Sequence, residues 1–131
     1  EIRPACQQPW PEHMAMAALG LGLVEEMGEL SAFVTDRLGP DYWSIMQTYH
    51  QQAIRHGLRA PEPAPGFLEQ ILAGVEAALH GRGYGEERFM TPLWRRLHRR
   101  RNPAQRMRRV FQIDGIQGLI NRAAVRPGDV L

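Results

Sequence analysis

A mainly helical chain, five to six helices after one N-terminal strand, is the fold this sequence predicts, and three observations carry that expectation. Apolar residues recur at spacings of three and four along most of the length, the period of a helix with one buried face. Glycine or proline stands where each such stretch ends. Only the opening Glu1-Ile2-Arg3-Pro4 reads as a strand, one already under way at the first residue. At 131 residues the chain is one domain or a piece of one. With 44% hydrophobic and 23% charged residues it has material for a core and is too apolar for a disordered segment.

The first helix opens at Pro11-Glu12. Met14, Ala17, Ala18, Leu21, Val24 and Glu25 follow at helical spacing, and the apolar positions continue through Met27, Leu30, Phe33 and Val34 to Leu38. Gly39-Pro40 stops the run. Gly20, Gly22 and Gly28 each lower its helix propensity by about 1 kcal/mol relative to alanine. A helix carrying these glycines is expected to pack closely against other elements or to break near Gly28. A second helix runs from about Asp41 to His56, with Tyr42, Ile45, Met46, Tyr49 and Ala53 inward and Gly57 as its C-cap residue. Pro61, Pro63 and Pro65 then impose an extended connector. Phe67 to His80 gives the third helix, with Phe67, Ile71, Leu72, Val75 and Leu79 inward, ended by Gly81-Arg82-Gly83. The fourth, Glu86 to about Arg100, presents Phe89, Met90, Leu93, Trp94 and Leu97. Asn102-Pro103 is a cap followed by a first-turn proline, and opens a fifth helix to about Ile113. Gly115 separates it from a sixth, Ile116 to Ala124, and Pro127-Gly128 begins a tail. There is no internal repeat.

Composition narrows the classes. No apolar run approaches the roughly 20 residues that cross a bilayer. The longest candidate, Met14 to Val24, meets Glu25 and Glu26 at once, so no membrane partner is expected. The one cysteine, Cys6, excludes an internal disulfide framework and a multi-cysteine zinc site, and a structural role outweighs a nucleophilic one. His13, His50, His56, His80 and His98 lie in different segments without a zinc-ligand spacing. Trp10, Trp43 and Trp94 are expected to anchor helix packing. No secretory leader is visible, which makes the cytoplasm the expected compartment. The start at Glu1 rather than a methionine suggests a fragment of a longer protein.

Charge divides the chain. Residues 1–81 hold four arginines against ten acids, and residues 82–131 hold twelve against four. Lysine is absent. Arg95, Arg96, Arg99, Arg100, Arg101, Arg106, Arg108 and Arg109 form a cluster that could meet phosphates or an acidic partner, as a small nucleic-acid-binding module would. Aromatic interleaving is slight, however, no recognition motif is present, and Glu86, Glu87 and the acidic first half can neutralise the patch. A structural or solvated surface is therefore the favoured reading, and nucleic acid is not an expected partner.

Glu1 and Arg3 are two apart, so on a strand they share one face about 7 Å apart. A carboxylate beside a guanidinium suits phosphoryl chemistry: the first can hold Mg²⁺, the second can steady a phosphoryl group or a carboxylate. On spacing alone the pair also fits a solvated ion pair. The whole opening, Glu-Ile-Arg-Pro-Ala-Cys-Gln-Gln-Pro-Trp with the Ala/Leu/Gly-rich helix after it, resembles the last catalytic strand and following helix of bacterial glutamate–cysteine ligases and related carboxylate–amine ligases, the cyanobacterial-type branch above all. The resemblance continues in Tyr49 to Leu58, Gly81-Arg82-Gly83-Tyr84-Gly85-Glu86-Glu87, Pro92-Leu93-Trp94-Arg95-Arg96-Leu97, Asn102-Pro103-Ala104 and Gly115 to Ile120.

The resemblance implies that the chain is the C-terminal part of an α+β fold similar to glutamine synthetase, a single partial domain. Residues 1–10 would be the last catalytic strand and turn, 11–124 the helical C-terminal region and 125–131 a tail. It implies ATP and Mg²⁺ as cofactors, glutamate and cysteine as substrates, and γ-glutamylcysteine as product. Glu1 matches the metal-binding glutamate. Arg3 matches the arginine that contacts the substrate or the transferring phosphoryl group. The remaining metal ligands, the nucleotide pocket and most of the sheet are not among these residues. The isolated piece is expected to be inactive and, with apolar surface uncovered, prone to self-association.

Overall fold

Six helices follow from the predicted periodicities in a computed structural model that describes residues 8 and 12–124. They are α1 (Met14–Glu25), α2 (Met27–Leu38), α3 (Tyr42–His56), α4 (Phe67–Arg82), α5 (Thr91–Arg99) and α6 (Pro103–Ala123). Short 3₁₀ turns occupy Gly57–Arg59 and Glu86–Met90. No strand occurs among the described residues; the strand expected at residues 1–4 and the tail at 125–131 lie outside them. None of the described helices is long and apolar enough to cross a membrane.

The core forms around α4. Val75 and Leu79 from α4 are buried together with Ala15 and Ala18 of α1, Met90, and Leu93 of α5, and Phe67 at the head of α4 is also buried. α1 lies along α4, and the Glu86–Met90 turn closes over both. Small residues set the approach of α1: a Cβ built on Gly22 would stand 2.6 Å from Val75 Cγ1 and 2.9 Å from the Val75 carbonyl oxygen. The close packing expected of this helix is thus real at Gly22, whereas Gly20 and Gly28 have nothing within 4 Å. α2 joins through Phe33, whose ring centroid is 5.4 Å from that of Phe67.

The first helix breaks near Gly28 as expected, at Glu26 (φ −95°, ψ 9°). Its hydrogen bonds nearly carry through, Glu26 N–H to Gly22 O at 3.0 Å and Leu30 N–H to Glu26 O at 2.9 Å, so the break is a bend that keeps Leu30 over α4. Helix α4 runs two residues past His80, to Arg82. The fourth predicted helix starts late: Glu86–Met90 is 3₁₀, and only Thr91–Arg99 is α-helical. Pro92 explains it, because proline has no N–H to donate back a turn and is tolerated only at a helix start. Trp43 does not anchor packing; it is 66% exposed, since at about 100° per residue it stands roughly 110° from the middle of the stripe formed by Ile45, Met46 and Tyr49.

At the C-terminal end the predicted punctuation is present. Asn102 accepts from the Gln105 N–H at 2.8 Å and its own N–H donates to Gln105 Oε1 at 3.1 Å, a capping box at the head of α6. Gly115 interrupts α6 with φ 64° and ψ −159°, a conformation open essentially to glycine alone, so the fifth and sixth predicted helices are its two halves.

Candidate functional site

Glu1 and Arg3, the residues assigned to metal and substrate, lie outside the described residues, as do Cys6 and Trp10. The described chain nevertheless shows how the residues just after them are held. Glu12, at the head of α1, is gripped by two arginines of α5: Arg95 Nη1 donates to Oε1 at 3.2 Å and Arg96 Nη2 to Oε2 at 2.6 Å. The Glu12 and Arg96 side chains are only 15% and 13% exposed, while Arg95 is 49% exposed. α5 is itself fixed to α4, by buried Leu93 and by Trp94, whose indole N–H donates to Glu76 at 3.0 Å. Charge-assisted bonds on both carboxylate oxygens define position and direction. The site is therefore an arginine clamp on Glu12, nine residues along the sequence from Arg3. Sequence reasoning missed it, because Glu12 and Arg95 are 83 residues apart and no local pattern joins them.

Removing the clamped carboxylate strands a largely buried guanidinium. Glu12→Ala is expected to lower stability by about 2 kcal/mol, since hydrogen bonds to charged groups contribute about 1.5–3 kcal/mol each. Arg95→Ala, at the exposed side, should cost under about 1 kcal/mol. Urea unfolding of both variants checks the order, and equal effects would contradict the clamp.

Other arginines are also engaged. Arg82 pairs with Glu25 and, at 2.9 Å, with Glu86. Arg100 Nη2 lies 3.7 Å from Glu62 Oε1, while Glu62 Oε2 accepts from the Leu68 N–H at 3.3 Å near the positive end of α4. Burial, and secondarily the negative charge of Glu62, raise the Tyr49 phenol above its ordinary value. The fold therefore holds the phenol proton more tightly than the unfolded chain does. That stabilisation is complete below the ordinary phenol value of about 10 and is lost as pH rises through the folded value. Tyr49→Phe is expected to flatten the loss of stability above about pH 10. Thermal melts from pH 8 to 11 measure it, and an unchanged alkaline slope would remove Tyr49 as the cause.

The predicted arginine cluster thus divides. Arg95, Arg96 and Arg100 face acids of the first half, whereas Arg99, Arg101, Arg106, Arg108 and Arg109, and Arg122 outside the cluster, are exposed with no acidic partner among the described residues. No group of three or more His, Cys, Asp or Glu side chains among the described residues could hold a metal ion. No protein-family model, curated protein or solved structure matches the chain.

Proposed function

We propose that the chain is the C-terminal helical part of an ATP-dependent carboxylate–amine ligase, a glutamate–cysteine ligase by its resemblance. The observation that carries this is the opening Glu1-Ile2-Arg3-Pro4-Ala5-Cys6-Gln7-Gln8-Pro9-Trp10 with an Ala/Leu/Gly-rich helix directly behind it. The geometry supports it in one respect. Of the eight arginines that could have marked a nucleic-acid module instead, Arg95 and Arg96 hold Glu12 and Arg100 lies beside Glu62. A helical unit that holds the chain at Glu12, downstream of Glu1 and Arg3, is compatible with the ligase reading.

In this reading the γ-carboxylate of glutamate takes the γ-phosphoryl group of ATP, releasing ADP. The amine of cysteine then attacks the acyl carbon, inorganic phosphate leaves, and the γ-glutamyl amide forms. Arg3 steadies the oxygens that gain charge during phosphoryl transfer, and Glu1 supplies a carboxylate for a hard cation. The helical piece alone is inactive, because the nucleotide pocket belongs to other residues. Hydroxylamine in place of cysteine tests the acyl phosphate. The protein that contains this chain should form γ-glutamyl hydroxamate only with ATP present, and hydroxamate formed equally without ATP would exclude the proposed reaction.

A further inference from the structure

We infer that this chain self-associates, the basic and apolar α6 of one copy lying on the acidic and apolar α1–α2 junction of a second. Helix α6 contributes no residue to the core. Phe111, Ile113, Ile116 and Ile120 are 52%, 68%, 64% and 54% exposed, on both sides of Gly115. It is tied to the rest of the chain at its head, where Gln105 Nε2 donates to the His56 carbonyl oxygen at 3.3 Å. Arg106, Arg108, Arg109 and Arg122 along it are exposed, without an acidic partner among the described residues. Large apolar side chains with unneutralised arginines call for a surface that is both apolar and acidic.

The chain carries such a surface at the bend between α1 and α2. Leu23, Val24 and Met27 are 37%, 56% and 66% exposed there. Glu25, Glu26 and Glu29 stand among them, and only Glu25 is taken up, by Arg82. The exposed apolar residues of α3 are less suited, because Ile54 there adjoins Arg55 and His56. Pairing α6 with α6 would bring arginines of like charge together. A nucleic acid would satisfy the arginines but leave four large apolar side chains in water. A second copy can cover the side of α6 that carries Phe111 and Arg108, three residues apart, and the exchange can be reciprocal, each α6 on the other's bend, which closes as a two-fold dimer. This inference does not depend on the ligase reading.

Sedimentation velocity of the full chain tests it. The wild type should dimerise with rising concentration, and more weakly as salt is raised. Arg108→Glu with Arg109→Glu should weaken the dimer at least tenfold, and so should Glu26→Arg with Glu29→Arg. All four changes in one chain should restore it, circular dichroism confirming the helices throughout. Met27→Glu, at an exposed position, should weaken it without affecting the core. A monomer at every concentration up to about 100 µM would overturn the inference. So would a dimer indifferent to these changes, or a monomer that binds duplex DNA at physiological salt.

Discussion

Arg3→Lys in the protein that carries this chain is expected to lower turnover about a hundredfold, and Glu1→Gln to lower it steeply while raising the Mg²⁺ concentration needed. The first follows from geometry rather than charge. Lysine keeps the positive charge but loses the planar fork that meets two oxygens at once. Losing such a contact on a transferring phosphoryl group removes about 3 kcal/mol of transition-state stabilisation, which is on the order of a hundredfold in rate. The second follows from charge rather than shape, because glutamine is nearly isosteric with glutamate but is a weaker ligand for a hard cation. A surface ion pair would behave otherwise: either change would cost under about 1 kcal/mol of stability and leave the rate nearly intact. Steady-state kinetics with Mg²⁺ varied separates the two, and near-normal rates in both variants would remove these residues from catalysis.

Gly22→Ala is the substitution expected to disturb the helical unit most for its size. Alanine inside a helix ordinarily stabilises by about 1 kcal/mol relative to glycine. At Gly22 the new methyl would stand 2.9 Å from a backbone carbonyl oxygen of α4 and 2.6 Å from Val75 Cγ1, so α1 and α4 must part. Overpacking a core costs about 1–3 kcal/mol, which outweighs the propensity gain and leaves a net loss. Gly20→Ala, two residues away with nothing within 4 Å, should instead stabilise by up to about 1 kcal/mol. Opposite signs in urea unfolding are the expected result. Stabilisation by both would mean that α1 does not approach α4 this closely.

The contrast also shows what the sequence made legible. Glycines in the first helix pointed to a close approach, but composition could not say which of them faces a neighbour, because that depends on the angle at which α4 crosses. Local chemistry was readable: Gly57 ends α3, Asn102 and Gln105 cap α6, and Gly115 divides it. Phe67, Val75, Leu79, Met90 and Leu93 were placed inward from periodicity and are buried. Trp43 was misread because aromatic character says nothing of the face a residue occupies. The Glu12 clamp was invisible for a different reason, being an ion pair between the two ends of the fold that leaves no periodic trace. Glu1 and Arg3 came from the resemblance alone, and their placement lies outside the described residues.

The most direct test of the ligase reading is the product made from glutamate, cysteine and ATP by the protein that contains this chain. ADP, inorganic phosphate and γ-glutamylcysteine should appear in equal amounts, each dependent on Mg²⁺. ATP consumption with no γ-glutamyl amide, or no consumption at all with glutamate and cysteine saturating, would contradict it.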